Sequence, residues 1–171
     1  MRINLFGGPG TGKSTLAAGV FTKLRQHGTS CALVTEWLKI WAYEGRVVHD
    51  FDQVFSFANQ LHLEKELLLY TGMIISDSPL FLQCMYADQH AKLVANDLWN
   101  IARTYESQYP SINFYVERMG PYEQHGRYED KKRALNMDDY IQAQLIANDI
   151  TTIHIQRTDI DLIIEELHKV L

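Results

Sequence analysis

The chain has 171 residues and a net charge of −5; 46% of it is hydrophobic and 22% charged. That length suits one domain with a substantial core, and the acidic balance argues against a protein that holds nucleic acid through a broad basic surface. No apolar run approaches the ~18 residues of a membrane span, and Met1 leads directly into an apolar strand without a signal-peptide pattern, so the expected setting is the cytoplasm, with no membrane partner.

Arg2 to Phe6 reads as the first strand. Gly7-Gly-Pro-Gly-Thr-Gly-Lys-Ser-Thr15 follows it and fits G-x-x-x-x-G-K-[ST] from Gly7 to Ser14. Ser14 to Gln26 then carries Leu16, Val20, Phe21 and Leu24 at helical spacing, and Gly28 stops it. Strand, glycine loop and helix in this order make a phosphate cradle. The glycines let backbone N–H groups turn inward around an anion, and the helix N-terminus adds its positive dipole end. Gly8, Pro9, Gly10, Thr11, Gly12, Lys13, Ser14 and Thr15 are therefore expected to bind ATP. Lys13 would meet the β- and γ-phosphate oxygens, and the Ser14 hydroxyl would ligate Mg²⁺.

Cys31 to Thr35 reads as strand two, with Glu36 at its C-terminal end. Asp52 to Tyr70 is a long helical stretch, and Met73 to Ile75 is strand three, ending at Ser76-Asp77-Ser78-Pro79. A further helix spans about Ala91 to Ser107, and Ile112 to Val116 is strand four. Glu117 to Asp130 is a polar loop, about Lys131 to Ala147 is helical, and Thr152 to Ile155 is strand five. A last helix, capped near Thr158 or Asp159, runs to Leu171. Strands alternating with helices call for an α/β fold, a parallel sheet with helices on both faces. Cys31 and Cys84 lie in apolar runs and read as buried thiols.

In such sheets ligands bind at the carboxyl ends of the strands, which brings the glycine loop, Glu36, Asp77 and Arg118 towards one place. Asp77 is expected to hold Mg²⁺ opposite Ser14. Glu36 is the candidate base that accepts a proton from an attacking hydroxyl. Trp37 and Trp41 offer flat faces on which a base could stack. Phe57 and Gln60 lie on the long helix and, with Ser78, complete the candidate acceptor contacts; an amide makes two hydrogen bonds to a base edge. Gly120 and Gly126 offer hinges for a lid over about 117–133, from which Arg118 and Arg127 would clamp phosphoryl oxygens. The histidines show no metal-ligand spacing, so a zinc site is not expected.

The phosphate loop, Glu36 after strand two, Ser76-Asp77-Ser78-Pro79 after strand three and the Gly-Arg-Tyr-Glu run at 126–129 together resemble the small P-loop nucleoside and nucleotide kinases. The closest likeness is to compact kinase-or-ATPase proteins of bacteriophage genomes, related to the kinase domain of a bifunctional NAD-biosynthesis regulator. The resemblance covers nearly the whole chain. It implies a five-stranded parallel sheet in the order 2-3-1-4-5, ATP and Mg²⁺ as cofactors, and adenine contacts near Gln156-Arg157-Thr158. It also implies a nucleoside, a nucleotide or a hydroxymethylpyrimidine, free or within DNA, as acceptor; the oligomeric state, monomer or homodimer, is open. An arginine after strand three, common in deoxynucleoside and thymidylate kinases, is missing here, where Ser76-Asp77-Ser78 stands. The competing class is a P-loop ATPase serving as a regulatory or assembly module. A GTP-dependent switch would need Asp-x-x-Gly after strand three and Asn-Lys-x-Asp before strand five, and neither occurs.

Overall fold

The computed structural model of the chain describes residues 1–120, 122 and 130–169. Five strands, β1 (Arg2–Phe6), β2 (Ala32–Val34), β3 (Ile74–Ser76), β4 (Ser111–Val116) and β5 (Ile153–Ile155), form one sheet in the order β2-β3-β1-β4-β5. Every pairing is parallel, with Asn4 opposite Ser76, Phe6 opposite Tyr115 and Val34 opposite Ser76. This is the expected P-loop arrangement. Among the described residues, seven helices connect and cover the strands: α1 (Lys13–Gln26), α2 (Lys39–Tyr43), α3 (Asp50–Thr71), α4 (Leu80–His90), α5 (Lys92–Gln108), α6 (Lys131–Ala147) and α7 (Ile160–His168).

The central strand explains the layering. β1 is buried at all five positions, and successive side chains of a strand face opposite sides. Ile3 and Leu5 join one core with Leu16, Val20 and Leu24 of α1 and Ile163 and Leu167 of α7. Phe6 joins the other, with Leu80 and Met85 of α4, Leu98 and Trp99 of α5 and Ile141 of α6. Cys31 and Cys84 are both buried and free, one in each core. The sheet between them rules out a disulfide without backbone movement.

Two helices have no counterpart in the sequence reading. α4 is buried at seven of its positions, from Leu80 to Met85 and again at Ala87. A helix apolar nearly all round has no amphipathic stripe from which to read its period. α2 is a single turn and a half, too short for periodicity. The other differences are at element ends: β2 is one residue shorter at each end than expected, α3 begins at Asp50, and α7 ends at His168. The middle of the expected lid, about 117–133, falls outside the described residues, Gly126 and Arg127 included; Lys131–Arg133 form the first turn of α6. Among the described residues, no helix is long and apolar enough to cross a membrane.

The same alternation that sends Ile3 and Leu5 to one core sends Arg2 and Asn4 to the other side, where their polar groups must find partners. Arg2, 1% exposed, donates to Glu64 Oε2 at 3.2 Å, to Glu106 Oε2 at 2.8 Å and to the Tyr109 carbonyl at 2.8 Å, and its guanidinium lies over the Tyr105 ring. Glu64 accepts from Gln60 and Ser76 through its other oxygen. Burial is the main influence on the Glu64 carboxyl and pushes its pKa up, against the opposing pull of Arg2. This buried ion pair pins α3 and α5 to the start of β1. Glu64→Leu strands the Arg2 charge and is expected to cost about 3–5 kcal/mol. Arg2→Met combined with Glu64→Leu should cost less than the sum of the single changes, as urea unfolding would show; strict additivity would mean that the pair does not act as a unit.

Candidate active site

The loop from Gly7 to Gly12 joins the C-terminal end of β1 to the first turn of α1. Gly12 caps that helix at φ +100°, a conformation that L side chains rarely adopt, and a Cβ there would lie 2.9 Å from the Arg157 Cβ. Lys13 is the first helical residue, and its Nζ donates to the Gly7 carbonyl at 2.7 Å and the Gly8 carbonyl at 2.9 Å. The Thr11 hydroxyl also donates to the Gly8 carbonyl, at 3.2 Å. Burial lowers the Lys13 pKa, while Glu36, Asp77 and Asp138 oppose that shift and Arg118 adds to it. The ammonium is therefore held over the loop with carboxylates close enough to support its charge.

The loop opens on a cleft of about 710 Å³. The ends of three strands supply its chemistry: Lys13, Ser14 and Thr15 after β1, Glu36 after β2, and Asp77 and Ser78 after β3. Asp77 is 3% exposed. Its Oδ1 accepts the Glu36 backbone N–H at 2.9 Å, and its own N–H donates to the Val34 carbonyl at 3.2 Å. One carboxylate thus fixes how the chain leaves β2 and where Glu36 stands. Oxygen donors from Ser14 and Asp77 share this cleft, and among the described residues no three His, Cys, Asp or Glu side chains cluster as a metal cage. Such a set suits a hard divalent cation that completes its shell with phosphate oxygens and water, as Mg²⁺ does.

The helices supply the remaining walls. Gln53 of α3 and Leu82, Gln83 and Tyr86 of α4 line the cleft, with Leu38, Lys39 and Arg46 around α2 and Arg133 at the start of α6. Gln83 is buried and held at both ends: Ser56 Oγ donates to its Oε1 at 3.0 Å, and its Nε2 donates to Ser78 Oγ at 3.3 Å. Its amide is preset towards one orientation before any ligand arrives.

Several expected contacts lie elsewhere. Phe57 is 2% exposed within the core beside α4 and does not line the cleft. Gln60 is fully buried and gives its amide N–H groups to Glu64 and Ser76, both at 3.1 Å, so it serves the Arg2 network and reads no ligand. Trp37 and Trp41 are likewise off the cleft wall. Trp37, in the turn before α2, and Trp41 within it pack on each other at 5.2 Å between ring centroids, with Phe55 5.0 Å from Trp37. Leu38, Lys39 and Ala42, on the other side of that turn, take the wall instead. Arg157 is exposed and packs against Gly12 outside the cleft.

Arg118 is also placed differently from the phosphate clamp expected of it. Its Nε donates to Asp138 Oδ2 at 2.5 Å, and its NH2 group donates to Asp138 Oδ1 at 3.0 Å and to the Pro9 carbonyl at 2.8 Å. Asp138 Oδ1 accepts the Gly8 N–H at 3.0 Å. Arginine and aspartate together brace the phosphate loop from outside the cleft and tie it to β4 and α6. A Cβ at Gly8 would overlap Asp138 Oδ1, so the brace explains why this loop position must be glycine. Asp138 is absent from the sequence reading, although a signal existed: it shares an otherwise apolar face with Ala134, Met137, Ile141 and Leu145. Gln83 left a similar trace, one amide inside a run of apolar residues. Gly8→Ala should weaken nucleotide binding by about tenfold or more, since a buried carboxylate hydrogen bond and its ion pair are both displaced. In the background of Asp138→Ala the same change should cost less, and a titration with a fluorescent nucleotide would reveal whether the two effects are coupled.

The fold and the loop agree with the comparisons. A family profile described as an AAA domain matches residues 2–161. A search of curated proteins finds no match. Among solved structures the chain is similar to the NadR protein in complex with NR, at 13% identity and a TM-score of 0.76 over 96% of this chain and 50% of that one. It thus spans about half the length of the NadR chain. It is also similar to the deoxyadenosine kinase from M. mycoides, solved with the products dCMP and a flexible dCDP, at 16% identity and a TM-score of 0.61 over the full length of both. A phosphate loop between β1 and α1, a 2-3-1-4-5 parallel sheet and a match over nearly all its length place this chain in the AAA-domain family of P-loop proteins, with the fold of the small nucleoside kinases.

Proposed function

We propose that this protein transfers the γ-phosphoryl group of ATP to a hydroxyl or phosphate oxygen of a nucleoside-type acceptor. The observation that carries the reading is the convergence of Lys13, Ser14, Glu36 and Asp77 on one cleft, which also has side walls of amide, apolar and cationic character beyond the phosphate loop. A cleft built only to hydrolyse ATP has no need of that second region. The likeness in fold to a deoxyadenosine kinase supports the same reading.

The roles follow from position. Backbone N–H groups of the loop and the N-terminus of α1 receive the phosphates. Lys13 leaves the Gly7 and Gly8 carbonyls and turns its three donors to the β- and γ-phosphate oxygens. Mg²⁺, when bound, neutralises phosphate charge; Ser14 and Asp77 would hold it. The acceptor oxygen attacks the γ-phosphorus as the bond to the β,γ-bridging oxygen breaks, and for a hydroxyl acceptor the Glu36 carboxylate takes the proton. Asp77, by holding the Glu36 N–H, positions that base. Arg157 lies beside Gly12 outside the cleft, where adenine would extend. The brace from Arg118 and Asp138 keeps the loop in shape throughout. Arg127, outside the described residues, retains its expected role as a clamp from the lid. The alternative within the same family, an ATPase module, uses the same loop and would turn Glu36 on water.

Lys13→Ala should abolish transfer, and Lys13→Arg should not restore it. Glu36→Gln should lower kcat by about a hundredfold or more, the usual contribution of a positioned base, while nucleotide affinity measured by calorimetry stays within about twofold. Normal turnover in Glu36→Gln would remove Glu36 as the base.

A further inference from the structure

The acceptor side of the cleft carries a charge opposite to that of the molecule. The chain as a whole is at −5, yet among the described residues the cleft is lined by Lys13, Lys39, Arg46 and Arg133 against Glu36 and Asp77, four positive groups and two negative. Lys13 belongs to the nucleotide phosphates. Glu36 and Asp77 are engaged as base and metal ligand. The other three cations come from α2, from the turn that follows it and from the first turn of α6, so they belong to no part of the phosphate loop. Of the three, Arg46 has an ion pair with Glu44, and a neutral nucleoside would bring no further opposite charge to this wall. A concave wall of one sign concentrates ligands of the other.

Arg46 shows that this wall is arranged. Its guanidinium lies 5.2 Å from the centre of the Trp41 ring, and its Nε reaches Glu44 at 2.7 Å. Stacking and the ion pair orient the planar fork, and a guanidinium fork matches the oxygens of a phosphate. Trp41, expected to stack on a base, thus acts one step back, as the platform for an arginine. Gln83, held by Ser56 and Ser78 in the same cleft, offers a fixed amide to a base edge.

We infer that the acceptor brings a phosphate of its own, a nucleotide rather than a nucleoside, and that Lys39, Arg46 and Arg133 receive that phosphate. The shared chemistry is a base whose sugar bears a phosphate, which a free nucleoside monophosphate and a nucleotide within a DNA strand both offer. The inference rests on the phosphotransfer reading and names the substrate class of that site.

The test measures binding and transfer separately. Calorimetry in the presence of Mg²⁺ and ADP would compare the four deoxynucleosides, their 5′-monophosphates and short single-stranded oligonucleotides, and labelled ATP would then report which of them is phosphorylated. The expected result is that at least one phosphate-bearing form binds about tenfold or more tightly than its nucleoside, the range of a charge-assisted hydrogen bond. That advantage should fall to about threefold or less in Arg46→Ala and in Arg133→Ala, with ADP affinity unchanged and with Arg46→Lys restoring part of it. Monophosphates binding best would identify free nucleotides as the source, and oligonucleotides binding best would identify DNA. Equal binding of nucleosides and monophosphates, or an advantage that survives the substitutions, would overturn the inference, and label on a nucleoside would then leave the phosphotransfer reading standing. Label on no acceptor, with ATP still consumed, would overturn both.

Discussion

The burial of β1 on both faces is the constraint on which the rest of the structure depends. A strand with no solvent-facing side must find helices for each face and neighbours for each edge, and here β3 and β4 take the edges while α1 and α7 cover one face and α4, α5 and α6 the other. The phosphate loop begins where this strand ends, so its anchor is a strand buried along its whole length. Polar side chains forced inward by the alternation are satisfied by the Arg2–Glu64–Glu106 network, which fixes α3 and α5 relative to the sheet. Rigidity at the site is therefore inherited from the core beneath it.

A second carboxylate extends that rigidity to the loop itself. Asp138 reaches the Gly8 amide, and Arg118 bridges the same carboxylate to the Pro9 carbonyl. The loop is thereby gripped between the end of β4 and the middle of α6. Those two elements flank the segment that the sequence suggests as a lid. A shift of α6 relative to β4 would pull directly on the residues that shape the phosphate site. The positive charge of Arg118 also offsets a carboxylate that would otherwise sit behind an anion-binding loop.

The legible parts of the sequence were those governed by local rules. Gly12 and Lys13 follow from a spacing that backbone N–H geometry demands, and the sheet order follows from the family resemblance together with right-handed parallel connections. Glu36 and Asp77 were readable because ligands gather at strand ends, and both stand on the cleft wall. The illegible parts depended on which face of a helix meets which neighbour. Phe57 and Gln60 lie on α3 among residues that turn both to the core and to the cleft, and a single sequence does not say which turn belongs to which. Gln53 and Gln60 lie two turns apart on one face of α3, and their different heights along the helix put Gln53 on the cleft and Gln60 against Glu64. Trp37 and Trp41 were misplaced for the same reason, since a turn and a half of helix has no readable stripe. Arg118 could be assigned to the site from its strand, but its engagement with Asp138 is a contact across 20 residues that spacing alone does not show.

The measurement that tests the central claim most directly is the destination of the γ-phosphoryl group. The purified protein, given γ-labelled ATP and Mg²⁺, would be followed with and without nucleotide acceptors. The account predicts that label appears on an acceptor and that release of free phosphate is slow in its absence, because the cleft extends beyond the phosphate loop to the walls of α2, α3 and α4. Free phosphate produced at one rate in every tube, with no label on any acceptor, would contradict it and make this chain an ATPase.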